Sequence, residues 1–368
     1  MEISFQRGIL LRYGSDKLIL DPEYSSVPIG IPTLVSHAHS DHTAAVTGAC
    51  TTYGTPQTLD LFTCSQVKKR ARNFEAREFH EPFEIRAFEI EFIKAGHLLG
   101  AAQMVIRAGD ETVHFTGDFC PTELLTVDGA EMPKDVDISI LDSTYGDKKI
   151  QFNDRVVIRQ KLFLWLIEEL NNNRMPVINV THLGGAQEII KLFNQLLTGV
   201  TLYIHPRIAV VNEIYKKNEI ELDYEILNKK TITKIKPGKS IIILPRASSS
   251  IKELNSYPES SNFDITRAIV TGQSAKYPFS AFDFSAALST HASFPELIDT
   301  IDKLDPHHVF THYGYANQMS KTLETDYKIS SSDIRFCDKQ LVRDLKKNGR
   351  PSTKNRTKGY KWGDEWFA

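Results

Sequence analysis

Residues 37–42 read His-Ala-His-Ser-Asp-His, and no other stretch limits what this chain can become so sharply. The run Thr-Leu-Val-Ser at 33–36 just before it is strand-like, so the cluster is expected on a loop at the end of a strand, where a sheet fixes the backbone and the loop aims the side chains. Neutral imidazoles and a carboxylate are ligands suited to zinc, and sometimes to manganese or iron. Four potential ligands within six residues let one tight loop place two on each of two metal ions. A polar loop with incidental histidines does not reach that density. Two further candidates fit the same site: His97, in Ala-Gly-His-Leu-Leu-Gly at 95–100, and Asp118, which closes Thr-Gly-Asp at 116–118. Alone, each would pass for an ordinary loop residue. Beside the cluster they take the positions of a third histidine and a bridging carboxylate.

With 368 residues, the chain has room for two domains or for one large domain carrying an insertion. Hydrophobic residues at 41% and charged residues at 24% argue against overall disorder. Lys plus Arg is 44 against Asp plus Glu 46, a net charge of −2 that does not announce a nucleic-acid binder. Nor does it exclude one, because bound cations bring their own positive charge. No apolar run approaches membrane-spanning length, and the first ten residues lack the layout of a signal peptide. The four cysteines show no Cys-x-x-Cys spacing, so neither a disulfide framework nor a cysteine zinc site is expected. A soluble cytoplasmic protein with no membrane contact is the expectation.

Short strands are expected at 2–5, 8–13, 17–21, 33–37, 113–118 and 137–142. From about 152 the pattern changes to alternating helix and strand. Helices are predicted at 155–170 and 186–197, and strands at 176–180, 202–205, 241–244 and 268–271, which together form an α/β block within the chain. A helix at 295–304 and a strand at 308–311 follow. Lys68, Lys69, Arg70 and Arg72 form a basic run expected on a solvated helix face. The tail 343–368 carries eight Lys or Arg against three acids, with Trp362 and Trp366. It reads equally as a solvated tail or as a nucleic-acid or docking contact.

The series Asp21, 37–42, Gly-His-Leu-Leu-Gly-Ala-Ala-Gln at 96–103 and Thr-Gly-Asp at 116–118 resembles the metallo-β-lactamase superfamily. Leu-Asp-Ser-Thr-Tyr-Gly at 141–146 narrows this to the β-CASP nucleases, and Ser-Thr-His-Ala-Ser at 289–293 and Thr-His-Tyr-Gly at 311–314 are similar to their last two motifs. The resemblance implies an α/β fold, a metallo-β-lactamase αβ/βα four-layer sandwich with an inserted α/β β-CASP domain. Its parts would be a first lactamase segment at 1–151, the inserted domain at 152–275, a second lactamase segment at 276–342, and the basic aromatic tail at 343–368.

Carried over residue by residue, the resemblance implies two zinc ions, with manganese as the alternative. His37, His39 and His97 would hold one ion, Asp41, His42 and His312 the other, with Asp118 bridging. Asp21 would orient the loop rather than bind metal. His291 would be the general acid that protonates the leaving oxygen, and Asp142 would hold its imidazole in the right tautomer. One departure stands out: Tyr313 separates His312 from Gly314, where the family pattern puts Gly directly after the histidine. Gly184 and Gly185, in a strand–turn–helix stretch, are candidate substrate contacts, because backbone amides at a helix start can receive a phosphate.

The function these residues imply is hydrolysis of single-stranded RNA, in processing or decay, preferred over DNA. The alternative is a DNA exonuclease resembling those that accompany DNA ligases. A small thioester or lactam hydrolase would not need the inserted block, and a catalytically inactive scaffold should have lost ligands. The tail's aromatic residues offer a contact for a homodimer or a protein partner.

Overall fold

The computed structural model describes residues 1–65 and 70–348. Three sheets organise it. The first has seven strands in the order Gln340–Leu341, Glu2–Phe5, Ile9–Tyr13, Asp16–Leu20, Thr33–Leu34, Thr52–Gly54 and Phe74–Ala76. The second, also of seven, runs Ser331–Asp333, His308–His312, Ile138–Asp142, Glu111–Phe115, Ala102–Ala108, Phe88–Lys94 and Phe83–Ile85. These two sheets share one apolar core, in which Ile3, Leu11, Leu18 and Leu34 meet Phe92, Met104, Phe115, Ile140 and Phe310.

The third sheet has six strands, all parallel: Glu225–Ile226, Thr201–Ile204, Ser240–Pro245, Met175–Val180, Ile265–Val270 and Phe284–Ala286. Its central strands, Met-Pro-Val-Ile-Asn-Val and Ser-Ile-Ile-Ile-Leu-Pro, are buried at every position. A parallel sheet covered on both faces demands such unbroken apolar runs. Helices Arg155–Asn171, Gly185–Leu196 and Pro206–Lys217 cover it. Their apolar residues join Leu297, Ile301, Met319 and Leu323 of two later helices in a second large core. The sixth strand lies beyond residue 275, so this sheet extends past the boundary that the sequence pattern suggested.

What matters for the site is a shared edge. Strands Phe88–Lys94, Glu111–Phe115, Ile138–Asp142 and His308–His312 all run the same way, and their carboxyl ends line one rim of the second sheet. Asp16–Leu20 and Thr33–Leu34 are likewise parallel neighbours in the first sheet, ending next to Asp21 and the loop 35–42. The Ala102 amide, which donates to the Ser36 carbonyl at 2.9 Å, joins the two rims. Residues far apart in sequence therefore converge on one line of loops.

Helix Pro56–Ser65 precedes the basic run, of which Arg70 and Arg72 lie in irregular backbone instead of on the expected helix face. Lys68 and Lys69 fall outside the described residues, as does the tail from 349 onward. Among the described residues no helix is long and apolar enough to cross a membrane.

Candidate metal centre and acid–base pair

His37, His39, His97 and Asp118 form one donor group, three of the four buried. His39 Nδ1 lies 3.0 Å from His37 Nε2 and 3.2 Å from His97 Nε2. Asp118 Oδ2 is 3.4 Å from His37 Nε2 and 3.7 Å from His97 Nε2. Ligands about 2.1 Å from a tetrahedral zinc stand about 3.4 Å apart, so these spacings match a zinc cage.

The outward-facing nitrogens decide the tautomers. His97 Nδ1 is 2.8 Å from the Thr290 carbonyl, and His39 Nε2 is 3.3 Å from that of Leu183. His37 Nδ1 is 2.9 Å from Ser36 Oγ, whose own proton goes to Asp21 Oδ2 at 2.5 Å. His42 Nδ1 meets the same Asp21 oxygen at 2.7 Å. His37, His39 and His97 thus each donate a proton away from the centre and turn a lone pair toward it, the orientation that metal ligation requires. Asp21 thus contacts His42 directly and His37 through Ser36, and with those two rings it forms another candidate donor group.

Burial, together with the neighbouring imidazoles, holds His37 and His97 well below the usual histidine range, and burial brings His39 down to about 4. These rings stay neutral and ready to ligate. Burial pushes Asp118 up to about 6 against the pull of His42 and His291. For His42, burial opposes charge, but Asp118 and Asp21 overcome it and raise the ring to about 10.

The second expected set is looser. His42 Nε2 is 3.6 Å from Asp118 Oδ1 and 3.8 Å from Asp41 Oδ2, so Asp118 turns one oxygen to each set. His312 is in none of the three donor groups found among the described residues. Its ring packs instead against Tyr313 at 3.8 Å and Phe5 of the first sheet at 5.4 Å. The cause is local: Tyr313 has φ +61° and Gly314 φ +41°, a left-handed turn that carries the chain past His312 and brings the Tyr313 hydroxyl to 3.3 Å from His42 Nδ1. Sequence reasoning missed Tyr313 as a member of the site. The residue that broke the family pattern was the available signal.

His291 and Asp142 come together as expected, with Nδ1 to Oδ2 at 2.9 Å. Asp142 also accepts from the Thr144 amide and hydroxyl, at 2.8 and 2.7 Å. Burial disfavours a charge on His291, yet Asp118 and Asp142 raise it to about 9; Asp142, despite its burial, is held below the usual carboxylate range by His291. His291 Nε2 faces Asp118 Oδ2 at 3.8 Å. The His291 ring is thereby held beside the donor group with its Nε2 toward Asp118.

A cavity of about 210 Å³ opens over this centre. His39, His97 and His291 line it from below, and Thr181, Gly185, Arg155, Arg159 and Arg246 line it from the third-sheet side. Gly185 faces the space, as the sequence suggested. Gly184 is committed elsewhere, because its amide donates to Gln187 Oε1 at 2.7 Å and is not free to receive a phosphate.

No family model matches the chain. Among curated relatives, a probable DNA ligase of Opitutus terrae is 23% identical over 79% of this chain and 27% of its own length. The cleavage and polyadenylation specificity factor subunit 3 of Dictyostelium discoideum is 27% identical over 57% of this chain and 33% of its own. Ribonuclease names recur among the other relatives. The chain spans about a third or less of these first two relatives. A crystal structure of a protein of unknown function from Enterococcus faecalis superposes with a TM-score of 0.64 at 13% identity, covering 92% of this chain and 99% of that one, a likeness of fold alone. The relatives indicate the β-CASP branch of the metallo-β-lactamase nucleases, the resemblance carried by the motifs.

Proposed function

We propose, from the premise that the chain belongs to this β-CASP branch, that it is a metal-dependent nuclease hydrolysing the phosphodiester bonds of single-stranded RNA. The observation that carries the reading is the His291–Asp142 pair, 2.9 Å apart and set against the Asp118 carboxylate of a four-donor metal group. When bound, metal ions supply positive charge for the phosphate oxygens and lower the pKa of an attacking water. They do not supply a proton for the departing sugar oxygen. His291 does: its Nδ1–H donates to Asp142, which fixes the tautomer, so the second proton sits on Nε2, facing the centre.

Arg246 is placed to meet the polymer backbone. Its guanidinium lines the cavity and is held by two neutral acceptors, Thr271 Oγ1 and Gln273 Oε1, each at 3.1 Å. An arginine steadied without a carboxylate keeps its charge for a phosphate. Two seven-stranded sheets on one core, with a third sheet over the site, support the four-layer sandwich and inserted domain implied by the motifs. A small-molecule hydrolase would not need that third sheet.

A second reading, hydrolysis of DNA, has an observation of its own. A relative matched over most of this chain carries the name of a probable DNA ligase. One assay separates the readings: matched single-stranded RNA and DNA, labelled at either end, with zinc or manganese and with His291→Ala as control. Cleavage of RNA alone, lost in the variant, is expected, and the product ladder distinguishes internal from terminal cutting. Loss of DNA alone overturns the RNA assignment.

A further inference from the structure

Two tyrosines from different parts of the chain meet beside the cavity, which Thr144 and Gln273 both line. The Tyr315 amide donates to the Ser143 carbonyl at 2.8 Å, which ties that residue to the loop just after Asp142. Tyr277 comes from the third-sheet side. Its amide and that of Lys276 donate to the Gln273 carbonyl, at 2.9 and 3.0 Å. The side chain of the same Gln273 holds Arg246 at 3.1 Å. The two tyrosine hydroxyls stand 3.1 Å apart, and Lys276 Nζ lies 3.0 Å from the Tyr315 hydroxyl and 4.2 Å from the centre of its ring. Asp147 Oδ2 stands 3.7 Å from Lys276 Nζ on another side. Tyr277, held at its hydroxyl and its amide, remains 50% exposed.

We propose that this cluster is a nucleobase-stacking platform: the exposed Tyr277 ring, braced by Tyr315 and Lys276, takes the unpaired base of a nucleotide flanking the phosphate that Arg246 meets. The inference rests on the nuclease reading and adds to it the way a single strand is gripped. Gln273 links the two contacts, since its side chain holds the arginine and its carbonyl holds the turn that carries Tyr277. The hydroxyl pair and the ammonium over the neighbouring ring fix the platform before a strand arrives, which reduces the entropy lost on binding. Every base has a π-face, so an aromatic ring holds a strand without reading its sequence. A base inside a duplex must first be unstacked to use the ring, so the platform favours single strands.

The test measures binding by the metal-loaded full chain, carrying His291→Ala to hold cleavage back. The ligands are fluorescently labelled oligoadenylate and a strand of the same length and charge with every base removed. Adding Tyr277→Ala is expected to weaken oligoadenylate binding roughly 5- to 150-fold and to leave the abasic strand's affinity unchanged. Tyr277→Phe, which keeps the ring and loses the hydroxyl, should stay within about threefold of its parent, because stacking carries the contact. Equal losses on both strands, or no loss in Tyr277→Ala, would overturn the proposal. So would a Tyr277→Phe variant as weak as Tyr277→Ala, since the hydroxyl pair would then be a clasp between two parts of the fold. The nuclease reading fails separately. Cleavage of RNA or DNA by the unaltered protein, with Tyr277→Ala binding as tightly as its parent, sinks this inference alone. Base-dependent binding that Tyr277→Ala weakens, with no cleavage of either polymer, sinks the nuclease reading and leaves the platform standing.

Discussion

Asp118 does more in the site than any other residue, since its two oxygens face opposite donor sets while His291 approaches one of them. Asp118→Ala should lower turnover at least about 100-fold and reduce bound metal, measured by a cleavage assay beside elemental analysis. Full activity in that variant would remove the site assignment. Asp21 touches no central lone pair but fixes His42 directly and His37 through Ser36. Asp21→Ala is therefore expected to weaken metal affinity by about 10- to 100-fold in a chelator competition, with little change in fold. His291→Ala should lower kcat on nucleic acid by about 100- to 10,000-fold while metal content stays intact. The same variant should lose far less on bis(p-nitrophenyl) phosphate, whose leaving group needs no proton; equal losses on both substrates would argue against the general-acid role. Residue types and spacing made the histidines and aspartates legible in the sequence. The Thr290 and Leu183 carbonyls were not, because a backbone acceptor carries no side-chain signature and is recruited only when its loop arrives.

At the scale of elements, the turn after Glu111–Phe115 positions Asp118 through Gly117, which sits at φ +52° with a would-be Cβ 2.6 Å from Ser36 Cβ. Gly117→Ala adds both a backbone penalty and a collision with the loop carrying His37. A loss of about 1–3 kcal/mol in urea unfolding is expected, together with weaker metal binding. Two strand histidines clear of the site contribute to the acid stability of the second sheet. His114, hydrogen-bonded to Gln103 and Ser139, is brought by burial to about 3, and His308, between Ser330 and Ser332, to about 4. Both rings bind a proton more readily in the unfolded chain, at about 6.5, than in the folded one. Stability is full above that value and falls as pH drops, by about 1.4 kcal/mol per pH unit for each ring until its folded value is reached. Unfolding at pH 7 and pH 5 should reveal the loss, and His308→Gln should flatten it; equal slopes in both proteins would discount the histidine. The strands themselves were readable from apolar runs, although several end earlier than expected. The ladder of Thr33–Leu34 stops before His37, since the loop must leave the sheet to turn its rings inward.

For the whole molecule, two sheets supply the centre and a third closes over it. Leu183, at the edge of the third-sheet block, reaches back to His39. The third sheet was legible from 175 to 270 because parallel strands buried on both faces leave long apolar runs. Its last strand, Phe284–Ala286, was not: three residues with an exposed Ser285 carry no such pattern, and only pairing with Ile265–Val270 makes them a strand. The sequence by itself determined the chemistry, since metal-ligating residue types at fixed short spacing survive any rearrangement of the rest of the chain. Tertiary structure alone decided which donors meet. His312 and Tyr313 are neighbours in the chain, yet a left-handed turn at a strand end sends the first into the space beside Phe5 and the second toward His42. Spacing along a chain does not encode that choice, because the direction of a side chain at a strand end depends on the packing of two sheets.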